Sequence, residues 1–150
     1  MSGQLSHSPA EIVRGLLVGL GHGITPTGSL DDAWPAFADE EPDNPTNCIT
    51  VYETEGVSHA HLMHGGYHVE NHGVQVKVRA LTHPTAFVKA WAIAQAIDAA
   101  NQIDVVIGAK TYVVWNLMRT SFFRLGKEPN SNRRSYTINA LAVIQDRSAL

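Results

Sequence analysis

The densest group of side chains able to do chemistry is a run of histidines. Five of the eight histidines lie close together: His59, His61, His64, His68 and His72. On a β-strand the side chains of His59 and His61 would share one face, which suits a first pair of imidazole ligands for zinc. The 59–68 run holds no acidic residue, and no His-Glu-x-x-His pattern is present. Two interpretations remain open. One is a metal site that uses His59, His61, His64 and His68. The other is a polar hairpin that faces solvent or a subunit contact, and the missing carboxylate favours this hairpin.

No other motif completes a catalytic or phosphate-binding site. Gly108 and Lys110 resemble the end of a P-loop, but the required glycine before the lysine is Ala109. The glycines of 15–23 lie within and after a predicted helix, whereas a phosphate-binding loop opens one. Cys48 has no base beside it in sequence, so we predict a buried structural cysteine. We find no complete catalytic motif, so nothing in these residues indicates a cofactor or an enzymatic activity.

Length and composition indicate one domain spanning 1–150. The 150 residues are 44% hydrophobic and 17% charged, which excludes a disordered, charge-driven polymer. A net charge of −3 disfavours a protein that binds nucleic acid through its phosphates. The single cysteine excludes an internal disulfide framework. No apolar run approaches the ~20 residues of a membrane helix, so we expect no membrane association.

The elements that must position these residues begin with a helix. Ser8 through Glu11 form a capping box, and apolar residues then follow at spacings of three and four up to the glycines of 19–23. We expect a short flexible start at 1–7 and, after the helix, an acidic proline-rich loop at 24–46. Strands are predicted at 47–53 and 73–80, with the histidine-rich connection between them.

The second half of the chain also has a predicted helix followed by predicted strands. An alanine-rich helical period predicts a helix from about Pro84 to Ala100. A hairpin with Gly108 first in its turn is predicted next, then a continuation at 122–126 and a last strand from Arg134 to about Gln145. Four residues are expected in the core: Phe87, Trp91, Val114 and Trp115.

The element order α-β-β-α-β-β-β predicts an α+β fold. One mostly antiparallel sheet with two helices packed on one face is the economical arrangement, because each helix offers one apolar stripe. Strict alternation in 73–80 turns Val74, Val76 and Val78 to the core. The same alternation predicts an exposed sheet face that carries Gln75, Lys77 and Arg79.

Charge is segregated along the chain. Residues 31–45 carry six acids and no base, whereas 119–134 carry a net charge of +4. Two solvated loops would explain this pattern, but a head-to-tail contact between copies would also use it and can close into a ring. The candidate contact residues are Asp39, Glu40, Glu41, Asp43, Arg119, Arg124, Lys127, Arg133 and Arg134.

Five segments resemble one family of bacteriophage proteins. They are DNPTNCITVY (43–52), GVQVKVR (73–79), YVVWNL (112–117), TSFFRLGKE (120–128) and RRSYTIN (133–139). These segments are similar to the strands and turns of tail-terminator and minor capsid proteins of long-tailed phages. The histidine-rich segment is not part of that resemblance.

The resemblance implies a structural role without cofactor or catalytic residue. Such proteins form a ring, typically a hexamer, that caps the tail tube, stops its polymerisation and joins the head connector, while DNA passes without specific binding. The implied location is the head-tail junction of the virion, and the host cytoplasm before assembly. A head-completion, connector or minor capsid role is the alternative within this class, and a small histidine-dependent metalloenzyme is the alternative outside it.

Overall fold

The fold is a six-stranded sheet with two helices on one face. The computed structural model describes residues 5–61, 68–129 and 131–147, with side chains given outside 56–61 and 68–70. The elements are α1 (Pro9–Gly19), β1 (Ala36–Ala38), β2 (Cys48–His61), β3 (His68–Ala80), α2 (His83–Ala99), β4 (Asn101–Ile107), β5 (Lys110–Lys127) and β6 (Arg134–Asp146). The sheet order is β1-β2-β3-β6-β5-β4, and every described strand pair is antiparallel except β1 with β2. The predicted α+β class is confirmed.

One hydrophobic core lies between the sheet and both helices. Its members in α1 include Ile12, Val13, Leu16 and Leu17, and its members in α2 include Ala86, Ala90, Ile93, Ala94 and Ile97. The predicted inward residues of β3, Val74, Val76 and Val78, are fully buried in that core. Neither described helix has the length and apolar character needed to cross a lipid bilayer.

Helix α1 is capped as its sequence predicts. The Ser8 hydroxyl accepts a hydrogen bond from the Glu11 amide at 3.2 Å. The flexible start at 1–7 stays a prediction, and residues 1–4 of it lie outside the described residues. Within the described part, Leu5 packs against the core and the His7 Nδ1 lies 2.7 Å from the Tyr112 hydroxyl.

The strands are longer than the sequence pattern suggests. The turn at Gly108, whose φ is +58°, joins Ile107 to Lys110 as predicted. Beyond it, β5 runs unbroken over 18 residues and absorbs three irregularities in its pairing with β6. These bulges interrupt the alternation, which is why the sequence alone shows two separate strands. Likewise β2 and β3 extend into the histidine-rich connection, as far as His61 and His68.

The predicted loop at 24–46 contains a strand that the pattern did not show. Strand β1 is three residues long and runs parallel to β2, with Phe37 opposite Thr50. Its ends are fixed because the Ile49 amide donates to the Pro35 carbonyl and the Asp39 amide donates to the Val51 carbonyl. Three residues are too few to reveal a period of two, so this strand depends on its neighbour rather than on local pattern.

Candidate assembly surfaces

Near Lys77 the sheet face opposite the helices carries mostly hydrophilic side chains, and this part of the face is here called the polar face. Because side chains alternate along each strand, the residues between the core positions of β2, β3 and β6 point away from the helices. The register places Thr50, Lys77 and Thr137 in one row across the three strands. The neighbouring row holds Cys48, Arg79 and Ser135.

A segment of the proline-rich loop, residues 39–46 and here called the acidic loop, covers part of the polar face. Arg79 is the centre of this contact and is 2% exposed. Its Nε donates to the Thr46 carbonyl at 3.0 Å, and its Nη2 donates to the carbonyls of Pro42 at 2.7 Å and Pro45 at 2.9 Å. Its Nη1 donates to Glu41 Oε1 at 2.9 Å. One guanidinium therefore anchors five of the loop's eight residues, from Glu41 to Thr46.

Glu41 binds a second cation in the same place. Lys77 Nζ lies 2.9 Å from Glu41 Oε2 and 3.9 Å from Glu128 Oε1. The Glu41 side chain is 17% exposed, so this carboxylate is largely enclosed by its own chain. The acidic loop is thus held on the polar face by two cations sharing one carboxylate.

This arrangement corrects the predicted exposed sheet face. The prediction is wrong for Arg79, because the acidic loop folds over it and supplies five oxygen acceptors. Lys77 is 20% exposed and paired, and the half-buried Gln75 donates to Asn139 Oδ1 at 3.1 Å. Sequence alternation identifies the face on which these side chains lie, but it does not show that a distant loop covers them.

The other acidic candidates point outward. Asp39 and Glu40 are exposed, and neither carboxylate has an ion pair within the part of the chain that the structure describes. The Asp43 side chain is exposed too, while its backbone carbonyl accepts hydrogen bonds from Arg79 and Arg133. The acidic loop therefore presents exposed carboxylates that have no ion pair among the described residues.

The basic candidates fall into two groups. Arg133 and Arg119 are engaged inside the chain: Arg133 donates to the Asp43 carbonyl, and Arg119 lies 2.9 Å from the Asp98 carboxylate. Arg124 and Lys127 are exposed, and the described residues offer them no ion pair. The structure thus brings Arg133 and the acidic loop together within one chain. The predicted contact between copies stays a prediction.

Arg134, the last basic candidate, lies at the start of β6 opposite Lys127. Its Nη1 atom is buried and has no hydrogen-bond partner among residues 5–61, 68–129 and 131–147. A buried guanidinium nitrogen without an acceptor is costly, so water or a partner group is needed at this point.

A cluster of aromatic rings lies on the surface beside α2, where the sequence analysis expected core. Phe87 and Trp91 are each 41% exposed, so their predicted burial is wrong. Their rings stack with centroids 6.2 Å apart, and Trp91 meets Phe122 of β5 edge-on at 5.4 Å. The Arg119 guanidinium lies 5.5 Å from the Trp91 ring centre. Helical period alone did not distinguish this cluster from core, because the small stripe around Ala90 already fills the space against the sheet.

The other residues predicted to be buried differ in their exposure. Val114 is 1% exposed, which confirms its predicted burial. Trp115 is half-buried, and its Nε1 donates to Gln145 Oε1 at 2.9 Å. Cys48 is fully buried as predicted, and burial raises the pKa of its thiol, which disfavours the reactive thiolate.

The histidine candidates give no site in the described structure. His64 lies outside the described residues, and His59, His61 and His68 lie in the strand segments whose side chains are not given. The backbone register places His61 opposite His68. Elsewhere in the described residues, no group of three or more His, Cys, Asp or Glu side chains could hold a metal ion.

The chain is thus an α+β protein whose described surface carries an exposed aromatic cluster beside α2 and several charged side chains without an ion pair. Residues 16–146 match the family model of the bacteriophage tail terminator protein. The chain therefore belongs to the bacteriophage tail terminator family, which confirms the resemblance seen in the sequence. Among solved structures, the chain is similar to one described as the virion of a native gene transfer agent particle. That similarity has 16% identity and a TM-score of 0.46, and it covers 73% of this chain and 78% of the other. The search of curated proteins found no match.

Proposed function

We propose that this chain is a tail terminator: a ring, of hexamer type, that caps the tail tube, stops its polymerisation and joins the tail to the head connector. The observation that carries the proposal is the family match over 16–146. The partners are other copies of the chain, the tail-tube protein and the connector. The location is the head-tail junction of the virion, with the host cytoplasm before assembly.

The charge of the chain supports this role. DNA must slide through the channel rather than bind, and a net charge of −3 with several free carboxylates gives it little attraction. Two segments of opposite charge on one chain, the proline-rich loop and the end of β5 with the start of β6, also suit a head-to-tail contact, which closes into a ring when the rotation allows. In our proposal the free carboxylates of Asp39 and Glu40 meet Arg124 and Lys127 of the next copy.

Tube assembly tests the function directly. Tail-tube protein is polymerised with increasing amounts of this chain, and tube length and ends are measured by negative-stain electron microscopy. We expect a shorter, narrower length distribution and a closed ring at tube ends. Unchanged tube lengths and bare ends at saturating concentration would contradict the proposal. Cross-linking in intact particles then tests the neighbours: links to tube protein support a terminator, whereas links to portal-side proteins alone support a connector.

A double substitution tests the metalloenzyme alternative in the same assay. His59→Ala with His61→Ala would abolish zinc binding if these histidines hold a metal. A structural protein keeps normal tube capping in this variant. The matched measurement is zinc titration by calorimetry of the wild-type chain, for which we expect no saturable binding.

A further inference from the structure

The exposed side of α2 lacks the charges that a solvent-facing helix carries. Along its 17 residues α2 has two charged side chains, Lys89 and Asp98. Asp98 is paired with Arg119, and Lys89 lies 5.4 Å from the ring centre of Trp34. The residues between these edges form what we call the outer face of α2: Pro84, Thr85, Phe87, Val88, Trp91, Ala92 and Gln95. Val88 is 66% exposed, and a helix that is apolar around most of its circumference is normally buried.

We infer that the outer face of α2 is covered in the assembled ring by the acidic loop and the exposed Phe123 of a second copy of this chain. The inference rests on the proposed function and names the surfaces that build the ring. Exposed aromatic side chains with charged groups at their edge have the composition of a protein interface.

Charge complementarity identifies the occupant. Lys89 borders the outer face, and Arg124 lies in β5 two residues beyond Phe122, whose ring meets Trp91. No described acidic side chain pairs with either cation. Arg124 lies on the helix side of the sheet, because it is opposite the core residue Tyr136. The acidic loop supplies the matching carboxylates, Asp39 and Glu40, and Arg79 holds that loop in a fixed shape. A preordered loop loses little conformational freedom on binding.

The polar face also supplies an apolar group to meet the aromatic rings. Phe123 is 44% exposed and lies in the row of Thr50, Lys77 and Thr137, two strands from the Lys77 that pairs with Glu41 of the acidic loop. An apolar centre from Phe123 and a rim of carboxylates would match the aromatic centre and cationic rim of the outer face.

The positions of the two surfaces dictate the symmetry. The outer face of α2 lies on the helix side of the sheet, and the acidic loop lies on the opposite side, bound to Arg79. A contact that joins opposite sides of two copies is heterologous, so it continues from copy to copy instead of stopping at a two-fold dimer, and it closes into a ring when the rotation allows. A single sheet is thus placed to contact one neighbour on each side.

Two complementary variants test this inference by sedimentation velocity. One has Val88→Glu with Trp91→Glu, which breaks the outer face and keeps the acidic loop. The other has Asp39→Lys with Glu40→Lys, which breaks the loop and keeps the outer face. The matched control is Leu30→Glu, an apolar residue that is 71% exposed and lies in the proline-rich loop. Circular dichroism checks that each variant stays folded.

We expect the outer-face variant to self-associate at least about 30-fold more weakly than wild type, which corresponds to ~2 kcal/mol. The control should match wild type. The two broken variants, each monomeric alone, should combine into a 1:1 complex that grows no further. This last result is specific to a head-to-tail contact, because the complex keeps one intact pair of surfaces.

The contrary outcomes separate this inference from the proposed function. An outer-face variant that associates like wild type, or a mixture that stays monomeric, overturns the inference. So does an outer-face variant that assembles normally but no longer binds tube ends, since α2 would then face the tube. A wild-type chain that stays monomeric both alone and on tube ends overturns it too. In each case the effect of the wild-type chain on tube length tests the proposed function independently.

Discussion

Replacing Arg79 by methionine should destabilise the protein by about 3 kcal/mol. Arg79 is 2% exposed and donates to five oxygen acceptors, so its loss leaves several carbonyls under the acidic loop without donors. Breaking a buried charged pair costs about 3–5 kcal/mol. The lower end applies here because Lys77 still neutralises Glu41 at 2.9 Å and the released loop can bind water.

Urea unfolding at neutral pH measures this loss. A change of 3 kcal/mol corresponds to a midpoint shift of about 1–3 M, and to a fall of about 6–12 °C in Tm for a chain of this size. Lys77→Met is the matched control. Lys77 touches the same carboxylate but is 20% exposed, and we expect it to lose about 1 kcal/mol or less. Arg79→Lys should recover only part of the loss, because an ammonium cannot reproduce the fork that reaches several carbonyls at once.

The reasoning fails if Arg79→Met and Lys77→Met unfold at the same urea concentration. That result would mean that the acidic loop contributes nothing to the folded state and that its carbonyls are hydrated in either case. A full recovery by Arg79→Lys would also refute the argument, since charge alone would then explain the stabilisation.

Three further predictions follow from single residues. Gly73→Ala should destabilise the fold by about 1–3 kcal/mol, because its Cβ would overlap the Glu55 carbonyl, whereas Gly19→Ala, with nothing within 4 Å, should be neutral or stabilising in the same urea assay. Cys48 should react with a thiol reagent only after unfolding, because it is fully buried and burial raises its pKa; rapid labelling of the native protein would contradict this. Burial lowers the pKa of His22 below its ordinary value of 6.5. Below pH 6.5 the unfolded chain therefore binds more protons at His22 than the folded chain does, so this residue lowers the free energy of unfolding as the pH falls. His22→Gln should therefore narrow the difference between the unfolding midpoints at pH 5.5 and pH 7.5, and an unchanged difference would refute the assignment.

Local signals in the sequence predicted the elements with long, regular patterns. The N-cap at Ser8, the alternation around Val76 and the glycine turn at Gly108 each depend on neighbours in sequence, and the structure confirms all three. The α+β class followed from the order of such elements. These features are determined by backbone conformation and by which side of an element is apolar, and both are readable from a short window.

Features that depend on distant contacts were not predictable in this way. The burial of Arg79 requires a loop more than thirty residues earlier in sequence to fold over it. The exposure of Phe87 and Trp91 depends on how small residues fill the other side of α2 against the sheet. In each case the side chain has the right period for its element, and tertiary packing decides its surroundings.

Tertiary contacts within the chain also change the interpretation of the segregated charges. Net charges of −6 in 31–45 and +4 in 119–134 suggest a contact dominated by ion pairs between copies. The structure removes Glu41, Arg119 and Arg133 from that set, since each is already bound within the chain. The free charges that remain are few and exposed, and exposed pairs contribute about 0–1 kcal/mol each. In the proposed ring, most of the association free energy then comes from apolar burial at the outer face of α2, and the remaining charges select which surface meets which.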